Sequence, residues 1–348
     1  MRIAQVSTLV TPVRNCHAGS VESLVWLLSR ELTALGHEVT VFATAESDVP
    51  CELVATLPGP YGQDGSPDDY QLCEWINLAR AVEQSARFDV IHTHAYLWGL
   101  PIESLSGAAM IHSLHVMPGT DMERLRLLYP AARVTAISHS QWAAYPGLPA
   151  CPVVGCGIDA ASFTFRAQPD DYLLFMGRFI PDKGALTAIQ MARRLGLPLR
   201  LAGPRNDYYR EIIEPHVDGQ QVRYEGWVAG ADRDALLGGA RALLYPLAWP
   251  EPFGLVQVEA MHCGTPVAAF AIGASPEIVD AGVTGYCAEP ATSFEAVVLQ
   301  CLLLDRAAVR DRAVSRFSAQ QMTRGYLEHY RQARERAGPT PVRRGAGR

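Results

Sequence analysis

The chain has 348 residues, 49% of them hydrophobic and 19% charged, with a formal net charge of −6. That apolar content excludes a disordered chain, and the negative balance argues against a nucleic-acid-binding surface, which is usually basic. The length suits two domains of roughly 150–170 residues each.

The N-terminus runs Met1-Arg-Ile-Ala-Gln-Val-Ser7 straight into a strand-like pattern at 3–6. It carries no long apolar segment of signal-peptide type, and no later apolar run reaches membrane-spanning length, so a cytoplasmic protein without membrane insertion is expected. A loop of small and polar residues follows at 11–20. Apolar residues at 21, 24, 25, 28, 32 and 35 then have helical spacing, and Gly36 stops that helix. Residues 38–43 read as a second strand, which completes a βαβ unit. Further strands are expected at 90–93, 109–114 and 134–137. Strands alternating with helices predict a parallel sheet covered on both faces.

Residues 151–171 break the pattern with Pro152, Gly155, Gly157 and Pro169 and read as an interdomain linker. The second half repeats the first. A strand at 172–176 leads to a loop at 177–184 and a helix at 185–195. Later strands are expected at 199–202, 223–224, 242–245, 266–270 and 285–287, and an amphipathic helix at 320–336. The division is therefore 1–160 and 161–319, with the 320–336 helix packing back on the first domain and a disordered basic tail at 338–348. In such sheets ligands bind beyond the carboxyl ends of the strands, so functional loops should follow strands directly.

Eight cysteines lie at 16, 51, 73, 151, 156, 263, 287 and 301, with no Cys-x2-Cys pair and no histidine at metal spacing. They predict buried reduced thiols.

The central motif is Glu251-Pro-Phe-Gly-Leu-Val-Gln-Val-Glu259. Pro252 and Gly254 keep Glu251 out of a helix that starts near Gly254 and carries Glu259 in its second or third turn. Free N–H groups at that start form an anion site between two carboxylates. The plainer alternative is a helix start with Glu251 compensating the dipole. Gly177-Arg-Phe-Ile-Pro-Asp-Lys-Gly184 places Arg178 and Lys183 on one glycine-bounded loop at a strand end. Two cations there suit a diphosphate leaving group. A solvated basic loop is the alternative, and a P-loop is excluded by the missing Gly-x4-Gly-Lys-[Ser/Thr] pattern.

Taken with Leu201-Ala-Gly-Pro204, Tyr224-Glu-Gly-Trp227, Cys263-Gly-Thr-Pro-Val267 and Pro276-Glu-Ile-Val279, these segments resemble the signature of glycosyltransferase family 4. The N-terminal half fits more loosely, through the loop with Gly19 and Glu22, Asp89-Val-Ile-His-Thr-His94 and the strand ending at His115. The resemblance spans all but the tail and is most similar to the antibiotic-biosynthesis branch of avilamycin type. It implies a retaining, metal-independent enzyme of GT-B fold, an α/β architecture of two Rossmann-like parallel-sheet domains facing across a cleft. No resident cofactor is implied; a nucleoside-diphosphate sugar is the donor and a small molecule, such as an antibiotic intermediate, the acceptor.

By the same resemblance, Arg178 and Lys183 bind the donor diphosphate with the amides of Gly254 and Leu255. Glu259 holds the ribose hydroxyls, Glu251 the sugar hydroxyls, and Gly19 lets the first loop approach the phosphates. His115 lies by the transferred sugar and joins Glu251, Arg178 and Lys183 as a catalytic group. Gly177, Gly203, Trp227, Val228 and Phe253 complete the donor site. Two positions depart from the family: Gly19-Ser20 stands where a Gly-Gly pair is common, and Cys156-Gly-Ile-Asp159 where an Asn begins the motif.

His92 and His94, two apart on a strand, point to one side and could be a zinc pair, active-site lining or packing. His112 is expected on the opposite face from His115. Asp232-Arg-Asp234 has the letters of a metal-binding Asp-x-Asp motif, but it opens an apparent helix at 235–240, where acids serve the dipole. Two other readings remain: a sugar-nucleotide epimerase or hydrolase on the same fold, and a non-catalytic nucleotide-sugar-binding subunit. A dinucleotide dehydrogenase is disfavoured because no Gly-x-Gly-x2-Gly follows the first strand.

Overall fold

The computed structural model describes residues 1–15, 21–143, 147–289 and 293–337. The expectations placed on Gly19, Ser20 and the 338–348 tail fall outside these residues.

Six parallel strands, β1 (Arg2–Val6), β2 (Glu38–Thr44), β3 (Glu52–Leu57), β4 (Val90–Thr93), β5 (Ala109–Ser113) and β6 (Val134–Thr135), form a sheet in the order β3-β2-β1-β4-β5-β6. Every residue of β4 and β5 is buried, as expected for parallel strands covered on both faces. Among the described residues of this half the α-helices are α1 (Val21–Ala34), α2 (Tyr70–Glu83), α3 (Thr120–Leu128) and α4 (His139–Ala143). Asp69 starts α2 by accepting the Leu72 N–H at 2.9 Å. β3 is an addition to the expected strands. It is an edge strand with no fully buried residue, so its apolar signal is weak. The strand expected at 134–137 ends at Thr135 instead. Ala136 leaves the sheet to bridge Val153, and the Ile137 N–H is taken by the Gln141 side chain at 2.8 Å.

The second half repeats the plan. β7 (Leu173–Met176), β8 (Leu199–Ala202), β9 (Val222–Gly226), β10 (Ala242–Tyr245), β11 (Val267–Phe270) and β12 (Gly285–Ala288) form a parallel sheet ordered β12-β11-β10-β7-β8-β9. Its helices are α5 (Ala185–Leu195), α6 (Gly230–Gly239), α7 (Leu255–His262), α8 (Ser275–Ile278), α9 (Phe294–Cys301) and α10 (Arg306–Phe317). In both sheets the strand order reverses beside the first strand, between β1 and β4 and between β7 and β10. Loops diverge at such switch points and leave a crevice.

The last helix, α11 (Ala319–Ala337), packs against α1, β4 and β5 of the first half. Met322, Tyr326, Leu327, Tyr330 and Ala333 are buried at helical spacing. Where the chain passes between halves, its two segments run side by side. Ile158 donates to Phe317 O at 2.8 Å, and Ala319 donates to Ile158 O at 2.9 Å.

The seven described cysteines are free, four buried and three half-buried. Burial pushes the Cys51 and Cys151 thiols up to about 11, so at neutral pH both are protonated and inert. Among the described residues no helix is long and apolar enough to cross a membrane.

Candidate active site

The switch point of the second sheet opens into a cavity of about 260 Å³. The backbone at the ends of β7 and β8 comes unusually close there. A Cβ on Gly203 would lie 2.1 Å from the Gly177 carbonyl oxygen, so only glycine allows this approach. After β7 the chain exposes Arg178, makes one turn over Pro181–Lys183 and enters α5. That turn buries Lys183, whose Nζ lies 2.6 Å from Glu251 Oε1 and 5.8 Å from the centre of the Trp249 ring. The other carboxylate oxygen of Glu251 accepts from the Tyr245 hydroxyl at the end of β10. Burial, and the Glu251 carboxylate beside it, hold that hydroxyl well above its usual range, so Tyr245 stays a donor.

Gly254 precedes α7 at φ +87°, where a Cβ would come within 2.6 Å of both the Tyr245 hydroxyl and Gln257 Nε2. The left-handed turn aims the first amides of α7 at the cavity, which Gly254 and Leu255 line. Gly177, Arg178, Lys183, Gly203, Trp227, Val228 and Glu251 line it too. The fold thus gathers these nine expected residues into one cavity.

Three described residues expected at the site are not in its lining. Phe253 is buried, with its ring 6.0 Å from Phe317 and near Gly155, so its side chain packs between the halves. Glu259 is buried behind Arg233, whose Nε donates to Glu259 Oε2 at 3.0 Å. His115 belongs to the first half, and Gly19 lies outside the described residues.

Sequence reasoning missed Arg233, which lines the cavity, and Tyr245. Arg233 sits inside the Asp-x-Asp letters, whose recognisable signal is carried by the two acids. The helix begins at Gly230 rather than at 235, so Arg233 falls in its first turn or so and faces α7. Asp234 accepts from the Thr164 N–H at 2.8 Å and so secures the segment entering the second half.

The first sheet's switch point carries a histidine cluster. His92 and His94 do share one side, their ring centroids 4.0 Å apart, and His94 stacks on His115 at 5.2 Å. All four ring nitrogens of His92 and His94 are hydrogen-bonded within the protein, which explains the pair as a packed polar core. His112 is buried elsewhere, beside Gly99 and Met110. Burial pushes His115 down to about 4, so the cluster is neutral at physiological pH.

Two acids organise the loop after β1. Glu22 Oε1 accepts from Thr8 Oγ1 at 2.8 Å and from the Val10 and Thr11 N–H groups at 3.1 and 3.2 Å. Glu74 takes the Leu9 N–H at 3.0 Å, while its Oε2 is buried without a partner among the described residues. Burial, with a smaller push from Glu22, raises the Glu74 carboxyl from 4.5 to about 7. Below pH 4.5 both folded and unfolded states hold its proton. As pH rises the unfolded carboxyl ionises first, so stability falls until the folded group ionises near pH 7. Glu74→Gln should remove this loss, worth on the order of 3 kcal/mol at neutral pH. Melting temperatures of the two proteins compared from pH 4 to 8 check it: equal gaps at all pH values would refute it.

The halves also meet directly. The Glu277 carboxylate, from α8, accepts the His139 and Ser140 N–H groups of α4 at 2.8 and 2.5 Å. Arg316 Nη2 holds the Glu277 carbonyl at 2.6 Å.

Two family models match this arrangement: Glycosyltransferase Family 4 over residues 21–161 and Glycosyl transferases group 1 over residues 161–312. The chain belongs to the GT-B glycosyltransferases of the family 4 type. A crystal structure of AviGT4, a glycosyltransferase involved in avilamycin A biosynthesis, is 28% identical with a TM-score of 0.73, covering 96% of this chain and 98% of that one. Anabaena HepE in complex with UDP and glucose shares the fold at 20% identity and a TM-score of 0.71, covering 95% of this chain and 100% of its own. Glycogen synthase from Mycobacterium tuberculosis is 35% identical over 51% of this chain and 45% of its own length. The match thus spans about half of that curated relative.

Proposed function

We propose that this protein moves a sugar from a nucleoside-diphosphate sugar to a small-molecule acceptor, with retention of the anomeric configuration and without a metal ion. The observation that carries the reading is one cavity, at a switch point, that combines Arg178, Lys183 and the α7 amides with the Glu251 carboxylate. Cations and helix dipoles oriented in advance stabilise a departing diphosphate. The bond from the anomeric carbon to the diphosphate oxygen breaks, and its electron pair leaves with the phosphate. The acceptor oxygen attacks from the same face and passes its proton to the departing phosphate. Glu251 orients sugar hydroxyls rather than serving as nucleophile. HepE, a structural neighbour, binds UDP and glucose, which supports a nucleotide-sugar donor. The likeness to AviGT4 supports a natural-product acceptor.

The test is a thermal-shift screen with UDP-, GDP-, ADP- and dTDP-glucose. At a hundred times Kd the right donor should raise Tm by about 5–10 °C. No shift from any of them would sink the donor assignment. Donor incubated alone separates the alternatives: an epimerised product would replace the transferase reading.

A further inference from the structure

A cavity of about 450 Å³ lies in the first half, where the edge strand β6 meets the last helix α11. It shares no lining residue with the cavity of Lys183 and Glu251. Residues 130–133, which enter β6 at its amino end, form part of its wall. Ligands of such sheets meet the carboxyl ends of the strands, so the proposed transfer chemistry does not use this space.

The charge of the cavity is one-sided. Arg126, Arg133 and His329 line it, and no described acidic residue does. Arg126 is only 4% exposed, yet a guanidinium keeps its proton. Its Nη1 donates to the Tyr129 carbonyl just after α3, while its Nε is buried without a partner among the described residues. Burial lowers this guanidinium from its ordinary value, as befits a cation short of a counter-ion. Glu103 does not supply one. Its carboxylate lies 3.5 Å from both Arg133 Nη1 and His112 Nε2. That is long for a charge-assisted hydrogen bond, so Arg133 is weakly held. Burial also lowers His329, which is therefore neutral near pH 7 and has one N–H to donate. Much of the remaining wall is apolar, from Ile111, Val134, Pro130, Pro149 and Pro152.

We propose that this cavity binds a small organic anion, a phosphate monoester or carboxylate on a compact apolar body, through Arg126 and Arg133. The two guanidiniums hold the head group by charge-assisted hydrogen bonds, and the apolar wall takes the body. The volume is that of a small-molecule site and exceeds what a bare inorganic ion fills. A ligand seated there touches β6 and α11 together, and so fastens the helix that returns from the second half to the edge of the first sheet.

Isothermal titration of the full chain with phenyl phosphate, benzoate, inorganic phosphate and neutral benzyl alcohol tests the site. At least one of the two organic anions should bind saturably, with Kd below about 1 mM, and the tighter one identifies the head group. Inorganic phosphate should bind about tenfold more weakly or worse, and benzyl alcohol should not bind. Arg126→Met should weaken the organic anion about tenfold or more. Because Arg126 is buried, Arg133→Met at a half-buried position serves as the second variant, with the same loss expected and a thermal melt as the folding control. Lys183→Ala, which removes a cation from the other cavity, should leave this binding unchanged. Loss of binding in Lys183→Ala with retention in both arginine variants would put the anion in the other cavity and overturn the proposal. So would the absence of saturable binding by both organic anions, or inorganic phosphate or benzyl alcohol binding as tightly as they do.

Discussion

Lys183→Ala is expected to lower kcat for sugar transfer by about 10²- to 10³-fold, the cost of removing one preorganised charge from a site where negative charge develops. Lys183 is placed by a single turn between Ile180 and Gly184, buried, and 2.6 Å from Glu251. On the proposed reading, a cation held there needs no reorganisation when the donor's diphosphate leaves. The replacement also strips Glu251 of its cationic partner, so the two side chains should act as a unit. Lys183→Ala/Glu251→Gln should therefore cost much less than the sum of the single changes. Lys183→Arg should recover little, because a planar guanidinium does not fit where a compact ammonium sits. Steady-state kinetics with far-ultraviolet circular dichroism as the folding control decide the matter. An alanine variant with wild-type kcat would remove Lys183 from the site.

The second large effect falls on stability. Arg233→Ala leaves the buried Glu259 carboxylate without its cation, and breaking such a pair costs about 3–5 kcal/mol. For a domain of this size that is on the order of 10 °C in Tm. Arg233→Ala/Glu259→Gln should regain most of the loss, since the stranded charge is gone. A thermal melt of the single and double variants reads both outcomes, and a single variant melting within 2 °C of wild type would contradict the pairing. Arg233 also lines the cavity. The double variant should therefore bind the nucleotide sugar more weakly even where it melts normally.

The fold was legible because its signals are local. Apolar runs such as 173–176 and 242–245 are short, continuous and followed by glycine or proline, as buried parallel strands must be. The edge strand β3 escaped because half-exposed residues give no such run. Glu251, Gly254 and the loop from Gly177 to Lys183 were legible for a related reason. Each lies immediately after a strand or before a helix, so sequence position alone carries it to the mouth of the sheet. Arg233 was not, because its meaning lies in a partner on another helix. The hydrogen bonds that tie His92 and Ser113 to α11 were hidden for the same reason.

By itself, then, the sequence determined two repeated α/β units with parallel sheets and a basic glycine-bounded loop ahead of the motif from Glu251 to Glu259, while the order of the strands came from the structure. Periodicity, capping and turn residues act over a few positions, so a linear reading captures them. Only the tertiary structure decided which charges pair: Lys183 with Glu251, Arg233 with Glu259, Glu277 with the amides of α4. It alone brought Tyr330 of α11 under β1 and β4 to meet Gln5 and His92. Hydrogen bonds and ion pairs are short-ranged and directional, and their partners here stand up to 325 positions apart in the chain.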